Sequence, residues 1–525
     1  MFFDIYKFLV YLNLSTFFKQ SDLMWFKTNI YIITTGKNCI FLFNKIDTLR
    51  ELLTYLKHYL LLKKDMGELI IKTENTDGVN DILGNPKKAL WKMSIPLIIS
   101  MFITSIYNIV DAIWVSGLGA DALAGVGFVT PVFIALMGIG NGLGSGSSSA
   151  LSKYIGMEDK KLADNGAVHT VIITIIVSVI TTILLCFFLK PILLIMGAGN
   201  TINYAMEYGT IIAFGSILVI FSNSAYGMLR AEGDANRTMY AMLLSSILNI
   251  ILDPIFIYVV GYGVQGAAMA TLISLLFVNC LLLYWYYIKK DTYLKADYSN
   301  FNFSKAVTFD ILKVGLPASL ELINNALFAA MFSLLLTYVA STDAVAVYST
   351  GWRIVTIGTT PVLAIATALI SVIGANYGAR RYENIMVAHR YSMKLSIIFS
   401  LFAVVITYFF AGDIVSLFCY AGTSTRLAPQ LIAFLSCIVL FYPTMAVGAP
   451  STYVFQGTGK GITAMFQTIL RESAFTIGFA YLFAVVFGWG EIGAWFGIIA
   501  GELVVNNISL VWADFYIKRL IKYNS

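Results

Sequence analysis

TVIITIIVSVITTILLCFFL (170–189) contains no charged residue and matches the roughly 20 residues that a helix needs to cross a bilayer. The whole chain has this character, because 58% of its 525 residues are hydrophobic and 12% are charged. Soluble proteins carry about a quarter charged residues. The sequence therefore predicts an all-α polytopic membrane protein. Its 35 basic and 29 acidic residues are too evenly balanced to indicate a nucleic-acid partner.

Hydropathy predicts twelve transmembrane helices. The predicted spans lie near 93–115, 122–150, 166–190, 203–228, 238–260, 265–288, 308–338, 343–372, 387–411, 427–452, 462–487 and 492–517. Basic residues are concentrated in alternate loops, for example at Lys160, Arg230 and Lys289, whereas the opposite loops hold little beyond Lys190 and Arg426. By the positive-inside rule we expect both ends of this core in the cytoplasm and the protein in the plasma membrane.

The two halves of the chain resemble each other. SKYIGMEDKK (152–161) matches GANYGARRYE (374–383), and LRAEGDANRTMYAM (229–242) aligns with FQGTGKGITAMFQ (455–467). The offset contains an even number of spans, so we expect two six-helix bundles that are parallel repeats about an axis along the membrane normal. The predicted organisation is an N-lobe over 81–288, a cytoplasmic linker over 289–306 and a C-lobe over 307–525.

Residues 1–80 match neither repeat. Charged residues interrupt each apolar run there before it reaches spanning length, and no secretory signal pattern is present. MGELIIKTENTDGVNDILG, which begins at Met66, is typical of a soluble N-terminus that leads into a first span. Our hypothesis is that translation starts at Met66. A peripheral amphipathic anchor is the alternative interpretation of the extension.

Two aspartates interrupt the apolar spans of the N-terminal half. Asp111 lies in the first span, with Thr104 and Asn108 on the same helix face. Asp253 lies in the fifth span, with Asn249 one turn before it. An unpaired carboxylate at the centre of a bilayer costs about 2.5–3.5 kcal/mol, so acids within a membrane are candidates for a functional site.

Further polar residues come from the fourth and sixth spans, namely Tyr208, Asn223 and Thr271. Residues of this kind also join helices through hydrogen bonds worth about 0.6 kcal/mol each. A carboxylate joins helices poorly because its charge must be desolvated. It becomes useful if it binds and releases a proton or Na⁺. The oxygens that suit either ion belong to Asp111, Asn249, Asp253 and Thr271.

The rest of the sequence offers few other sites. Glu321 in the seventh span is the acidic candidate of the C-terminal half, and a paired acid near a helix end is the alternative. Gly138, Gly142 and Gly146 are four residues apart, which predicts a close helix contact rather than a phosphate loop. The five cysteines and three histidines follow no metal-ligand or nucleophile spacing, so we predict neither an enzyme nor a cofactor.

Several motifs resemble the multidrug and toxic compound extrusion (MATE) family, specifically its prokaryotic DinF-type branch. The resemblance covers roughly 85–520. The motifs that carry it are PLIISMF (96–102), NIVDAIWVSGLGADALAG (108–125), LRAEGDANR (229–237), NIILDPIFI (249–257) and FQGTGKG (455–461).

The resemblance implies a V-shaped transporter without an ATPase, which extrudes small organic cations in exchange for H⁺ or Na⁺. It places the coupling site at Asp111, Asn249 and Asp253, with Thr271 and Tyr208 as further members. Pro96 corresponds to a proline of the first span that permits helix bending. Asn108, Asn223 and Glu321 are secondary candidates. The expected partners are the substrate and the lipid bilayer, and we expect a monomer.

Two other functions compete with this one. A lipid-linked oligosaccharide flippase would need basic side chains inside its cavity, whereas the predicted N-lobe interior is acidic and amidic, with the basic residues in the loops. An ion channel is disfavoured by the duplicated lobes and by the lack of a filter motif. The sequence leaves open the choice between H⁺ and Na⁺ and the identity of the substrate.

Overall fold

The computed structural model describes residues 22–26, 30–35, 38–43, 75–418 and 426–524, which fall into two units, Met1–Glu74 and Asn75–Ser525. In the first unit the described residues form three antiparallel strands in the order β1 Asp22–Phe26, β2 Ile30–Thr35 and β3 Asn38–Phe43. The register pairs Asp22 with Thr34 and Ile30 with Phe43. The hypothesis of a start at Met66 concerns a residue outside the described ranges.

The described part of the second unit is built from helices. They are α1 Asp77–Leu83, α2 Pro86–Ser116, α3 Ala120–Gly156, α4 Lys160–Ile195, α5 Ile202–Phe214, α6 Ser216–Ala231, α7 Ala235–Pro254, α8 Gly263–Leu283, α9 Lys305–Val339, α10 Thr342–Gly378, α11 Tyr382–Phe409, α12 Ala411–Phe418, α13 Ala428–Ile438, α14 Phe441–Gly457, α15 Gly461–Ile469, α16 Ile477–Tyr481 and α17 Gly490–Asn524. Segments of π-helix continue α7, α8, α15 and α16, over Ile255–Val259, Tyr284–Lys289, Leu470–Thr476 and Leu482–Val486.

The helices of the described residues supply the twelve predicted spans. Ten helices are long and apolar enough to cross a membrane, and two bent pairs complete the set. The fourth span, α5 and α6, bends by 51°, and the tenth span, α13 and α14, bends by 48°. Gly215 lies at the first bend, where a Cβ would collide with Leu272. Pro443 lies just after the second bend and lacks the N–H that would continue α13.

Equivalent loops of the two halves adopt the same unusual backbone. Gly233 and Gly459 have φ of 78° and 79°, and Glu158 and Arg380 have φ of 58° and 57°. Each pair consists of aligned positions in the internal repeat. Left-handed backbone is costly for residues other than glycine. Its recurrence at aligned positions therefore means that the two halves turn in the same way at these points.

Three hydrophobic clusters define how the two six-span lobes meet. One cluster belongs to both lobes and includes Leu151 of α3 and Ile373 of α10. It lies at the end of the helices where Lys153 and Arg380 are found, which we call the basic end. The buried residues of a second cluster around Val129 all belong to the N-lobe, and those of a third around Phe434 all belong to the C-lobe. The lobes share a core at the basic end and separate towards the other end, like the arms of a V.

The glycine face predicted in the second span is confirmed. A Cβ on Gly142 would stand 2.5 Å from the carbonyl oxygen of Gly315 in α9, and one on Gly146 would stand 2.9 Å from the Gly315 nitrogen. The neighbouring face packs on α6, since a Cβ on Gly140 would stand 2.9 Å from Asn223 Cβ. Glycine thus lets α3 approach a helix of each lobe at backbone distance.

The segment 289–306 joins the lobes and is hydrogen-bonded to the N-lobe. Its backbone N–H groups donate to N-lobe side chains, from Leu294 to Glu232 at 2.9 Å, from Lys295 to Asp164 at 2.8 Å and from Ser304 to His169 at 2.9 Å. Asn165 and Asn302 add a reciprocal pair of bonds at 2.9 and 3.2 Å. The segment is therefore attached to the N-lobe as far as Ser304, the N-cap residue of α9.

Candidate functional site

The first, fifth and sixth spans bring four predicted residues of the N-lobe together. Asp111 comes from α2, Asn249 and Asp253 come from α7, and Thr271 comes from α8. Asn249 Nδ2 donates to Thr271 Oγ1 at 3.2 Å, and the Thr271 hydroxyl donates to the Ala267 carbonyl at 3.1 Å. Asn249 Oδ1 accepts no hydrogen bond from the described residues. The amide oxygen is therefore the free end of this chain of bonds.

Asp111 and Asp253 face each other across α2 and α7. Their carboxyl groups are close enough to hydrogen-bond when one proton lies between them. Asp253 is 0% exposed, and neither of its oxygens accepts a hydrogen bond from the described residues. The Oδ1 atom of Asp111 is also buried and accepts no hydrogen bond from the described residues. Two buried carboxylates repel each other unless a proton or a cation lies between them, so this pair can hold one positive charge.

The donor set suits a proton or a hard cation equally well. Among residues 75–418 and 426–524, no group of three or more His, Cys, Asp or Glu is placed to hold a metal ion. A bound Na⁺ would therefore need amide and hydroxyl oxygens in addition to the two carboxylates. Those oxygens are present at Asn249 and Thr271. A proton needs only the carboxyl pair.

Two tyrosines lie beside the carboxyl pair. Tyr208 of α5 is buried and lies next to Thr271. The sequence predicts these two residues in the same site. Tyr107 of α2 lies near both carboxyl groups and was missed in the sequence. Each residue advances a helix by about 100°, which places Asp111 between Tyr107 and Thr104 on one face. This periodicity was the signal that could have identified Tyr107.

A cavity of about 70 Å³ adjoins the site on the inner side of the N-lobe. Thr104, Tyr107, Asn223, Asn249 and Thr271 are among the residues that line it. Asn108 is exposed and is not among them. Helix periodicity explains the difference, because Asn108 lies on the far side of Thr104 from Asp111.

The turn after Asp253 is wider than an α-helical turn. Pro254 ends α7 and has no N–H to bond the carbonyl four residues earlier. The chain continues as the π-helix Ile255–Val259, and Val260 N–H donates to the Ile255 carbonyl at 2.8 Å. Turns of this kind are frequent at functional sites. The proline therefore interrupts the regular backbone ladder directly beside the candidate carboxylate.

Pro96 lies on the same helix as Asp111, about four turns away. It is buried inside α2, which runs without a break from Pro86 to Ser116. A proline inside a helix leaves one carbonyl of the preceding turn without its usual donor. That missing bond weakens this turn of α2, although the helix is continuous in this structure.

The acidic residues with which the C-lobe lines the cavity between the lobes have partners. Gln456 Nε2 donates to the Glu321 oxygens at 3.1 and 3.2 Å. Arg471 forms ion pairs with Glu472 at 3.1 Å and with Glu502 at 3.5 Å. The amide that holds Glu321 was not identified from the sequence. Each of these three C-lobe acids therefore has a side-chain partner, in contrast to Asp253 in the N-lobe.

A larger cavity of about 470 Å³ lies between the lobes. Its size is in the range of drug-binding pockets, about 300–1,000 Å³. Glu321, Gln456 and Arg471 line its C-lobe wall, and Arg230 lines its N-lobe wall. The sequence-based assignment of Arg230 to a loop is wrong, because Arg230 belongs to the last turn of α6 and is 6% exposed.

Glu232 is a buried acid outside the spans, in the turn between α6 and α7. It is 1% exposed. Burial raises the pKa of Glu232 to about 8, and the negative charge of Asp234 acts in the same direction. The Leu294 N–H, which donates to Glu232 at 2.9 Å, lowers the pKa but does not offset burial. The carboxyl is thus protonated over much of the neutral range.

The chain matches the MatE family model over residues 96–255 and 317–482, once in each half. It is similar to a FAD transporter of Shewanella oneidensis, with 27% identity over 454 residues, which cover 83% of this chain and 94% of the relative. It is also similar to a probable multidrug resistance protein NorM of Thermotoga maritima, with 25% identity over 441 residues, which cover 81% and 92%.

A solved structure of a MOP superfamily transporter from Pyrococcus furiosus has a similar fold. The TM-score is 0.83 and the identity is 38%, over 85% of this chain and 99% of that one. The similarity thus extends over nearly the whole of the solved structure.

Proposed function

The chain belongs to the MatE family of multi-span membrane transporters, and from this premise we propose that it exports organic cations by exchange for H⁺ or Na⁺. Its relative from Thermotoga maritima is named as a probable multidrug resistance protein, which supports drug export. The coupling ion is held in the N-lobe, at Asp111, Asn249, Asp253 and Thr271, with Tyr208 beside them.

The observation that carries this proposal is the carboxyl pair of Asp111 and Asp253, in which Asp253 and the Oδ1 atom of Asp111 are buried and accept no hydrogen bond from the described residues. In a low-dielectric site, two adjacent carboxylates without a cation are destabilised by their mutual repulsion and by lost hydration. Binding one H⁺ or Na⁺ removes much of that cost. The occupancy of the site therefore changes the relative free energies of the carrier's conformations, which is what coupling requires.

The transport cycle is an alternating-access cycle. With the lobes separated away from the basic end, Asp111 and Asp253 take up the ion, and α2 rearranges at the weak turn near Pro96. This rearrangement displaces the substrate, and the carrier then exposes the ion to the other side. Asn223 and Glu321 contribute to the cavity walls, and Asn108, which is exposed, has a lesser role.

The remaining assignments complete the proposal. The lobes correspond to 81–288 and 307–525, joined by the cytoplasmic linker 289–306, and 1–80 is an N-terminal extension that belongs to neither repeat. The protein works as a monomer in the plasma membrane, with the basic end and both ends of the core in the cytoplasm. No cofactor takes part beyond the coupling ion.

The test is transport of ethidium, an organic cation, by the full chain in proteoliposomes, with Na⁺ and pH gradients imposed separately. The wild type should use one of the two gradients, which identifies the ion. Asp253→Asn should lose at least about nine-tenths of the coupled efflux while still binding ethidium. Asp121→Asn, at an exposed acid in the first turn of α3, is the matched control. Full efflux in Asp253→Asn would refute the assignment.

The same liposomes separate the rival functions. A flippase of lipid-linked oligosaccharides would move such a lipid across the bilayer without either gradient. A channel would carry an ionic current that does not saturate as the ion concentration rises, and it would not exchange ions for ethidium. If either result is obtained and ethidium efflux does not follow a gradient, the proposed exporter function is wrong.

A further inference from the structure

Arg230 is a buried cation without a partner. It is 6% exposed, and no described residue forms a hydrogen bond or an ion pair with it. Its neighbours are two uncharged tyrosines, Tyr226 one turn earlier on α6 and Tyr453 on α14 of the other lobe. All three residues line the cavity between the lobes. An isolated charge costs much free energy when it is removed from water, so this guanidinium needs an explanation.

The other arginine of the cavity differs from Arg230. Arg471 is held between Glu472 and Glu502, and its charge is neutralised within the C-lobe. The remaining acid, Glu321, is bound by Gln456 and forms no ion pair with Arg230. Within the described part of the cavity, Arg230 is thus a cation whose donors are not used by the protein.

The internal repeat indicates that the fold does not require this charge. Arg230 aligns with Gln456, three residues before the aligned glycines Gly233 and Gly459, which share the same left-handed backbone. The C-lobe builds the same turn with a neutral amide. The guanidinium is therefore not needed to form the end of the span, and Arg230 lines a cavity large enough for a ligand.

We propose that Arg230 binds an anionic group, a carboxylate or phosphate, of the transported molecule. The proposal rests on the exporter function above and narrows its substrate class. Glu321 on the opposite wall receives the cationic end of the same molecule, and the tyrosines contact its planar body. The preferred substrate is then an aromatic zwitterion rather than a simple cation. Guanidinium groups recognise carboxylates and phosphates through paired hydrogen bonds, which gives this contact its specificity.

A matched pair of dyes tests the anionic contact. Rhodamine 110 carries a free carboxylate and a delocalised cation, and rhodamine 123 is its methyl ester, so the two differ only in the anionic group. Binding to the purified full chain is measured by fluorescence anisotropy. Arg230→Gln introduces the residue of the aligned position and should weaken rhodamine 110 binding by about 10-fold to 100-fold, the size expected for loss of a charged hydrogen bond. Rhodamine 123 binding should be unchanged.

Two further variants separate recognition from folding. Arg230→Lys keeps the charge and should retain more of the rhodamine 110 affinity than Arg230→Gln does. Arg390→Gln changes an exposed arginine away from the cavity and should bind both dyes as the wild type does. Unchanged rhodamine 123 binding also shows that Arg230→Gln is folded. If Arg230→Gln loses both dyes equally, or loses neither, the proposal is wrong.

A lipid phosphate is the other source of an anion for this cavity. Rhodamine 110 binding is therefore repeated in nanodiscs of phosphatidylcholine with and without phosphatidylglycerol. Unchanged affinity supports a soluble substrate. If phosphatidylglycerol weakens rhodamine 110 binding to the wild type but not to Arg230→Gln, the lipid phosphate occupies Arg230. That result would overturn the proposed substrate class. These binding results do not depend on ion gradients, so they fail or hold separately from ethidium efflux.

Discussion

Gly156 and Gly378 make the same contact from opposite lobes. A Cβ on Gly156 would collide with the carbonyl of Ala375, and a Cβ on Gly378 would collide with the carbonyl of Lys153. The repeat aligns Gly156 with Gly378 and Lys153 with Ala375. The contact is thus reciprocal about the axis between the lobes. At this point of the basic end, α3 and α10 touch through backbone atoms alone.

Adding one methyl group at this contact should open the basic end. Gly156→Ala and Gly378→Ala each force two backbones apart, so each should reduce the population in which the basic end is closed, and by similar factors. The neighbouring hydroxyls of Ser148 and Ser371, 2.7 Å apart, give a measurement of closure. The rate of disulfide formation in Ser148→Cys/Ser371→Cys, without other cysteines, should fall several-fold in each alanine variant.

Gly478→Ala is the control for this prediction. Gly478 lies in α16, and nothing is found within 4 Å of a Cβ built there. Its substitution should leave the cross-linking rate unchanged. If Gly156→Ala cross-links as fast as Gly478→Ala does, the close backbone contact does not limit closure.

Asp111→Asn should stabilise the carrier when no cation is bound. The variant replaces one carboxylate of the pair with an amide, which removes the repulsion and can donate a hydrogen bond to Asp253. We expect about 1–3 kcal/mol of stabilisation at about pH 9 without Na⁺, typical of a hydrogen bond to a charged group. Thermal unfolding followed by tryptophan fluorescence measures it. A lower melting temperature than that of the wild type would contradict the carboxyl pairing.

Thr271→Val should distinguish the two coupling ions. The substitution keeps the shape of the side chain but removes the oxygen that Asn249 bonds at 3.2 Å. If Na⁺ is coupled, the apparent Na⁺ affinity of efflux should fall about tenfold, because a ligand oxygen is lost. If H⁺ is coupled, the pH profile should hardly move. Ser274→Ala on the same helix removes only a hydroxyl bonded to the Ala270 carbonyl, and efflux should be unaffected.

Glu232→Gln should make stability less dependent on pH. In the folded protein, burial raises the pKa of Glu232 to about 8 from its ordinary value of 4.5. The folded state therefore holds a proton that the unfolded state releases between these values, so wild-type stability falls as pH rises from about 4.5 to about 8. The loss is at most about 1.4 kcal/mol per pH unit for one proton.

The Gln variant carries no charge at any pH and can still accept the Leu294 N–H. Its melting temperature should therefore exceed that of the wild type at about pH 8 by more than it does at about pH 5. Glu383→Gln, at an exposed acid in the first turn of α11, should follow the wild type. A constant difference between Glu232→Gln and the wild type at all pH values would contradict a buried carboxyl that titrates.

Much of the fold could be predicted from the sequence because a bilayer imposes strong local rules. Length and hydropathy identified twelve spans, and the repeat identified their pairing into halves. The bends at Gly215 and before Phe441 could not be predicted in this way. Each depends on a partner side chain or on a proline inside an otherwise continuous apolar run.

The candidate site could be predicted in its members but not in its contacts. Asp111 and Asp253 were recognisable because charge is rare in such spans, yet the sequence does not reveal that their carboxyl groups meet. The positions of Arg230 and Gln456 also depend on tertiary structure. Both lie at the ends of spans, where the sequence cannot distinguish a residue that faces water from one that turns back into a cavity between lobes.

The parallel orientation of the repeats limits how this carrier can change state. In a protein with inverted repeats, the two halves can exchange conformations, and the exchange converts an outward-open molecule into an inward-open one. Here the axis runs along the membrane normal, so exchanging the halves returns the same state. The opposite state must therefore be closed by a separately evolved set of contacts. The repeat axis therefore produces no counterpart of the Gly156 and Gly378 contact at the other end of the helices. The contacts that close one end can change independently of those that close the other end.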